Sequence, residues 1–170
     1  MPLSARLFQT FRRWLGSAAP VVPRRSLGLV TYLCRDYDEA AAWFTASLGF
    51  QIEQDVDQGG GGRWLVLSPG DASDAGLSTS GASLLLALAA TDAQQARVGS
   101  QVGDCVVFFL STTDFKADYA AFEARGVAFL EAPRYEPYGT VAVFRDLYGN
   151  TWDLIERPKA ALAATTSTKQ

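Results

Sequence analysis

Phe144-Arg145-Asp146-Leu147-Tyr148-Gly149-Asn150-Thr151-Trp152-Asp153-Leu154-Ile155-Glu156 reads as two alternating strands joined by a tight turn. Gly149 and Asn150 suit the turn, because both tolerate positive φ without the Cβ clash that other residues suffer. On strand alternation Trp152 and Leu154 share one face, while Thr151, Asp153 and Ile155 share the other. The chain contains no histidine, so the stretch that best identifies a fold also narrows the chemistry.

Working outward, Val106 to Leu110 reads as a strand, Asp114 as the cap of a helix from Phe115 to Arg125, and Gly126 as its end. Val127 to Glu131, Val141 to Arg145 and Thr151 to Ile155 are the strands that follow. The same order stands upstream. Leu27 to Cys34 is a strand, Asp36 caps a helix from Tyr37 to Leu48, and Gly49 closes it; Phe50 to Val56, Trp64 to Leu67 and Ser83 to Leu88 are strands. Gly59 to Gly62 and the Ser/Gly/Asp-rich loop Gly70 to Gly81 connect them. Asp36 precedes Gly49 by 13 residues and Asp114 precedes Gly126 by 12, which marks a duplicated unit.

Outside the duplication, Leu3, Leu7, Phe8, Phe11, Trp14 and Leu15 recur at helical spacing opposite Arg6, Gln9, Thr10 and Arg13. Gly16 and Pro20 end that amphipathic helix, and Ser17 to Arg25 reads as a linker. Three readings stay open for it: docking on the domain or a partner, which is favoured, a membrane-surface anchor, or a transit peptide. Ala160 to Gln170 reads as a frayed tail.

With 48% of 170 residues hydrophobic and 19% charged, the chain can build one domain with a core. No apolar run approaches the roughly 20 residues needed to cross a bilayer. Cys34 and Cys105 lie in apolar runs without the close spacing of zinc or redox pairs, so both are expected as buried, reduced thiols in the cytoplasm. The first 35 residues hold six arginines and no acid, leaving eighteen acids against nine bases in the rest. That acidic body argues against nucleic-acid binding and mildly favours a cationic or neutral ligand. The glycine run lacks the lysine and the strand-to-helix context of a phosphate loop, and a histidine-activated nucleophile is impossible.

Two sets of motifs then carry a resemblance: Arg35-Asp36-Tyr37-Asp38-Glu39-Ala40-Ala41-Ala42-Trp43-Phe44 with Leu48-Gly49-Phe50, and Tyr138-Gly139 with Asp146-Leu147-Tyr148-Gly149-Asn150. In their order and spacing the chain resembles the vicinal oxygen chelate superfamily, which includes glyoxalases, bleomycin-resistance proteins and extradiol dioxygenases. The resemblance implies an α+β fold over residues 26–157: two βαβββ modules, about 26–90 and 102–157, with curved mixed sheets around a cavity. It also implies a homodimer. Enzymes of the superfamily hold a divalent metal with histidines and carboxylates. Matched residue by residue, the histidine positions fall near Leu29 and Val107, and only Asp153 keeps an expected carboxylate. No metal and no cofactor are therefore expected.

The expected ligand-facing set is Thr31, Trp64, Val107, Phe109, Arg134, Tyr138 and Asp153. Trp43 and Trp152 are expected to pack helix on sheet instead. Asp153 has open alternatives: a rim acid, a partner of Arg145 across the hairpin, or a cavity carboxylate that neutralises a cation or moves a proton. Pro133 to Gly139 reads as a stiffened loop, either touching ligand or closed on itself through Arg134 and Glu136. The leading expectation is a metal-free protein that sequesters an aromatic or cationic small molecule in a dimer cavity. The alternatives are an enzyme of the lyase, isomerase or dioxygenase type with a rearranged, histidine-free site, and a structural module recruited by its N-terminal helix.

Overall fold

In the computed structural model, which describes residues 26–70 and 81–158, the strand and helix order read from the sequence forms two sheets. The amphipathic helix and linker, most of the Ser/Gly/Asp-rich loop, and the tail from Ala160 to Gln170 lie outside the described residues. The first unit comprises β1 (Leu29–Cys34), α1 (Tyr37–Leu48), β2 (Gln51–Gly59), β3 (Gly62–Ser68) and β4 (Ser83–Leu88), in the sheet order β1-β4-β3-β2. A short helix, α2 (Asp92–Gln95), begins the crossing to the second unit. There β5 (Phe108–Thr112), α3 (Phe115–Ala124), β6 (Ala128–Phe129), β7 (Arg134–Glu136), β8 (Gly139–Arg145) and β9 (Thr151–Glu156) form the order β5-β9-β8-β6, with β7 also on β8. The chain thus has the expected α+β architecture of two mixed sheets.

Local chemistry explains the boundaries. Asp36 is extended and its carboxylate accepts the Glu39 N–H at 2.8 Å, while Gly49 at φ 75 lets the chain leave α1 in the left-handed region. Asp114 does the same for α3 through the Ala117 N–H at 3.0 Å. Several details differ from the sequence reading. β5 starts at Phe108, two residues late, although the Val107 N–H already donates to the Thr151 carbonyl at 3.0 Å. The strand expected from Val127 to Glu131 shrinks to Ala128–Phe129, because the chain turns away before Pro133. The segment expected as a loop contains β7, and in the tight turn only Gly149, at φ 102, is left-handed. Cys34 is buried, its thiol pushed up to about 11 chiefly by burial, but Cys105 is exposed on the connecting loop.

One core spans both units. Phe44 of α1 lies 5.8 Å from Trp152 of β9, Phe50 lies 6.2 Å from the same indole, and Tyr32 of β1 lies 6.0 Å from Phe108 of β5. Trp152 packs with α1 as expected, and Trp43 meets Phe44 edge-on. At the centre is the buried carboxylate of Asp146. Its Oδ1 accepts the N–H groups of Tyr148, Gly149 and Asn150 at 3.0 to 3.1 Å. Its Oδ2 accepts the Tyr32 hydroxyl at 2.8 Å, the Trp152 indole N–H at 2.9 Å and the Asn150 amide at 3.0 Å. Dense donation of this kind replaces the water the charge has lost. It also raises the Tyr32 phenol far above its usual range, first through burial and then through the nearby Asp146 charge.

The loop after α2 joins the units a second time. The Gln101 side chain accepts the Leu33 N–H at 2.8 Å and donates to the Thr31 carbonyl at 3.2 Å, satisfying the outer edge of β1. Gly99, at φ 81, lies so close to the Tyr148 carbonyl that a Cβ there would collide with it. Tyr148 in turn donates its hydroxyl to Glu39 of α1 at 2.8 Å, and burial, with this bond adding to it, pushes its phenol up to about 12.

Candidate functional site

The alternation that turns Trp152, Leu154 and Phe144 into the core puts Arg145, Val143, Thr151 and Asp153 on the opposite face of the second sheet, which is open to solvent at the end nearer the turn, while Val141 and Ile155 at its far end are buried. Across that face the register sets Phe109 of β5 beside Asp153 of β9, and Asp153 beside Val143 of β8. Phe109 is 64% exposed, an unusual position for a phenyl ring. Asp153 is half-buried, and its Oδ1 is shut off from solvent without a hydrogen-bond partner. Burial raises its pKa above the ordinary carboxylate value; Arg134 pulls it down less strongly, and Glu131 adds to the rise. Arg145 faces Thr151, not Asp153, in the register, so the cross-hairpin ion pair does not form.

One row nearer the turn, Val107, Thr151 and Arg145 border a cavity of about 420 Å³. The loop 99–105, Leu130 and the turn residues Gly149 and Asn150 complete its lining. Arg145 makes no ion pair with the described residues, because the neighbouring Asp146 is turned inward to its six donors. Asp104 and the exposed Cys105 lie on the loop side.

Val107, Phe109 and Asp153 thus fall on adjoining rows of one face. Arg134 reaches them only through its field, since its guanidinium is bound to Glu131 at 2.9 Å and Glu136 at 3.0 Å. The Arg134–Glu136 pair is thus formed, on β7. Tyr138 is exposed in the turn between β7 and β8. Thr31 and Trp64 belong to the first sheet: Thr31 is exposed on β1, and the Trp64 indole N–H donates to Gln54 at 2.7 Å. Sequence reasoning missed the loop 99–105 as a wall and Arg145 as a lining group. The second was readable from alternation, since Arg145 shares its face with Val143; the first carries no motif.

The residues at the superfamily's metal positions do not fit a divalent ion. Leu29 and Val107 offer no donor, and among the described residues no three His, Cys, Asp or Glu side chains converge. A single carboxylate cannot hold a transition ion against water.

Comparison with known proteins bears on the fold. A protein of Shewanella frigidimarina (strain NCIMB 400), described as uncharacterized, is 39% identical over 134 residues, covering 78% of this chain and 94% of its own. The crystal structure of UcmS2 superposes with a TM-score of 0.64 at 28% identity, covering 78% of this chain and 98% of that one. TnmS3, an antibiotic binding protein from Streptomyces sp. CB03234, superposes with a TM-score of 0.59 at 24% identity, over 81% of this chain and 99% of that one. The profile of the Glyoxalase/Bleomycin resistance protein/Dioxygenase superfamily matches residues 26–154, and the chain belongs to that superfamily.

Proposed function

We propose that this protein binds an aromatic small molecule with a basic group on the open face of its second sheet, without a resident metal. The observation that carries the reading is the half-buried Asp153 carboxylate, one oxygen unpaired, beside the exposed Phe109 ring. An unpaired buried acceptor costs free energy that an incoming donor recovers, and the phenyl ring offers a stacking surface. The adjoining cavity, about 420 Å³, is within the range of small-molecule sites. The description of TnmS3 as an antibiotic binding protein supports the scaffold's capacity to hold such a ligand. We also propose that two copies pair over this face, a reading supported by the exposed Phe109 ring that stands on it. Among the described residues no helix is long and apolar enough to cross a membrane.

The test is an NMR titration with aromatic compounds, neutral and basic, against the wild type, Asp153→Asn and Phe109→Ala. Basic rings are expected to shift the amides of β5 and β9, and both substitutions to weaken them by about tenfold or more. No response at β5 and β9 to any compound would overturn the reading. Elemental analysis of protein purified without chelator is expected to find less than one metal per chain.

A second reading has its own support: the pKa of Asp153, raised chiefly by burial, suits proton transfer. Turnover of any candidate substrate that Asp153→Asn abolishes while leaving binding intact would favour an enzyme.

A further inference from the structure

The two adjoining rows on the open face carry opposite charges that do not meet. Arg145 stands opposite Thr151, and Asp153 stands opposite Val143 two residues further along β8. Diagonal neighbours of this kind have Cα atoms about 7–8 Å apart. The two side chains form no ion pair, although each lacks another charged partner in direct contact among the described residues. Beside them the exposed Phe109 ring belongs to the Asp153 row, while the cavity belongs to the Arg145 row.

We propose that the ligand is an aromatic zwitterion, its carboxylate held by Arg145 at the cavity and its ammonium by Asp153, with the ring against Phe109. This rests on the ligand-binding reading above and names its chemical class. A simple aromatic cation meets Asp153 but is repelled by Arg145 one row away. A simple aromatic acid meets Arg145 but is repelled by Asp153 one row away. A molecule carrying both groups satisfies both rows at once, taking up two charges that form no ion pair with each other in the fold. A guanidinium takes a carboxylate in two parallel hydrogen bonds, which fixes orientation as well as charge. Asp104 also lines the cavity, so its lining holds one acid and one base and is not a general anion trap. The carboxylate is therefore selected by Arg145 itself, not by a positive field.

Three probes sharing one indole ring test the inference: tryptophan, with both charges, tryptamine, with the amine alone, and indole-3-propionate, with the acid alone. Each is titrated into the full-length protein and followed by amide shifts at residues 107–109, 145 and 151–153. Tryptophan is expected to bind about tenfold or more tightly than either single-charge probe. Arg145→Gln is expected to lower tryptophan to the level of tryptamine and leave tryptamine no weaker. Asp153→Asn is expected to lower tryptophan to the level of indole-3-propionate. Tryptamine binding as tightly as tryptophan, or Arg145→Gln without effect on tryptophan, would overturn the zwitterion while leaving the basic aromatic ligand in place. Binding by none of the three would also overturn it, and the broader reading is then decided by the wider titration of neutral and basic rings.

Discussion

At the scale of single residues, two aspartates of one hairpin play opposite parts. Asp146 is buried with both oxygens saturated by donors, so it stabilises the fold. Asp146→Ala leaves the Tyr32 hydroxyl and the Trp152 indole N–H buried without acceptors. It is expected to cost about 3 kcal/mol or more, read from the urea midpoint. Asp153 has an unpaired oxygen, and its pKa is raised in the folded chain, with burial as the main cause. Between its ordinary value and the raised one the native state binds more protons than the unfolded state, so stability from this group falls as pH rises through that window. Asp153→Asn should therefore raise the melting temperature at neutral pH and do so less at about pH 4, near the ordinary carboxylate value. Equal shifts at both pH values would contradict this account. The sequence made the alternation legible and set Asp153 on the face opposite Trp152 and Leu154, where it was expected to meet a cavity. It could not show that Asp146, two positions before Tyr148, turns inward, because that depends on Tyr32, 114 residues away.

At the scale of elements, strong local signals transferred well and weak ones did not. The cap residues Asp36 and Asp114 and the glycines Gly49 and Gly126 marked their helix ends, since capping acts over one turn. β7 escaped notice because three residues between prolines look like a turn, and only pairing with β8 makes them a strand. α2 escaped because its four residues carry no apolar period, although Thr91 and Gln94 form a capping box. The loop 99–105 had no signal of any kind, yet it lines the cavity. Its position depends on Gly99, whose left-handed backbone and contact with the Tyr148 carbonyl exclude a side chain. Gly99→Ala is expected to displace the loop and lower stability by about 1–3 kcal/mol. Amide shifts confined to residues 97–107 and 146–151 in that variant would confirm a local cause; an unchanged spectrum would refute it.

At the scale of the molecule, the duplication visible in the sequence does not produce two independent bodies. Phe44 of the first unit packs on Trp152 of the second, and a single cluster of buried side chains runs through both. Unfolding should therefore be one transition, with the same midpoint by near-ultraviolet and far-ultraviolet signals. Phe44→Ala is expected to lower stability by about 3–5 kcal/mol without splitting that transition. Separate midpoints for the two halves would show that the shared core is not cooperative. The family resemblance named this architecture correctly from motifs alone, because the motifs sit at caps and turns that fix topology. The proposed binding face was only partly legible, because it is assembled from rows that meet across strands distant in sequence.

The hydrogen bond from Tyr32 to Asp146 also has a consequence for synthesis. A ribosome delivers the first unit long before residue 146 emerges, and until then the Tyr32 hydroxyl has no acceptor at its destined place. The Phe44 ring likewise waits for Trp152. The nascent first half therefore stays incomplete until nearly the whole described chain has been made, and its exposed apolar surface is a natural client for chaperones during that interval.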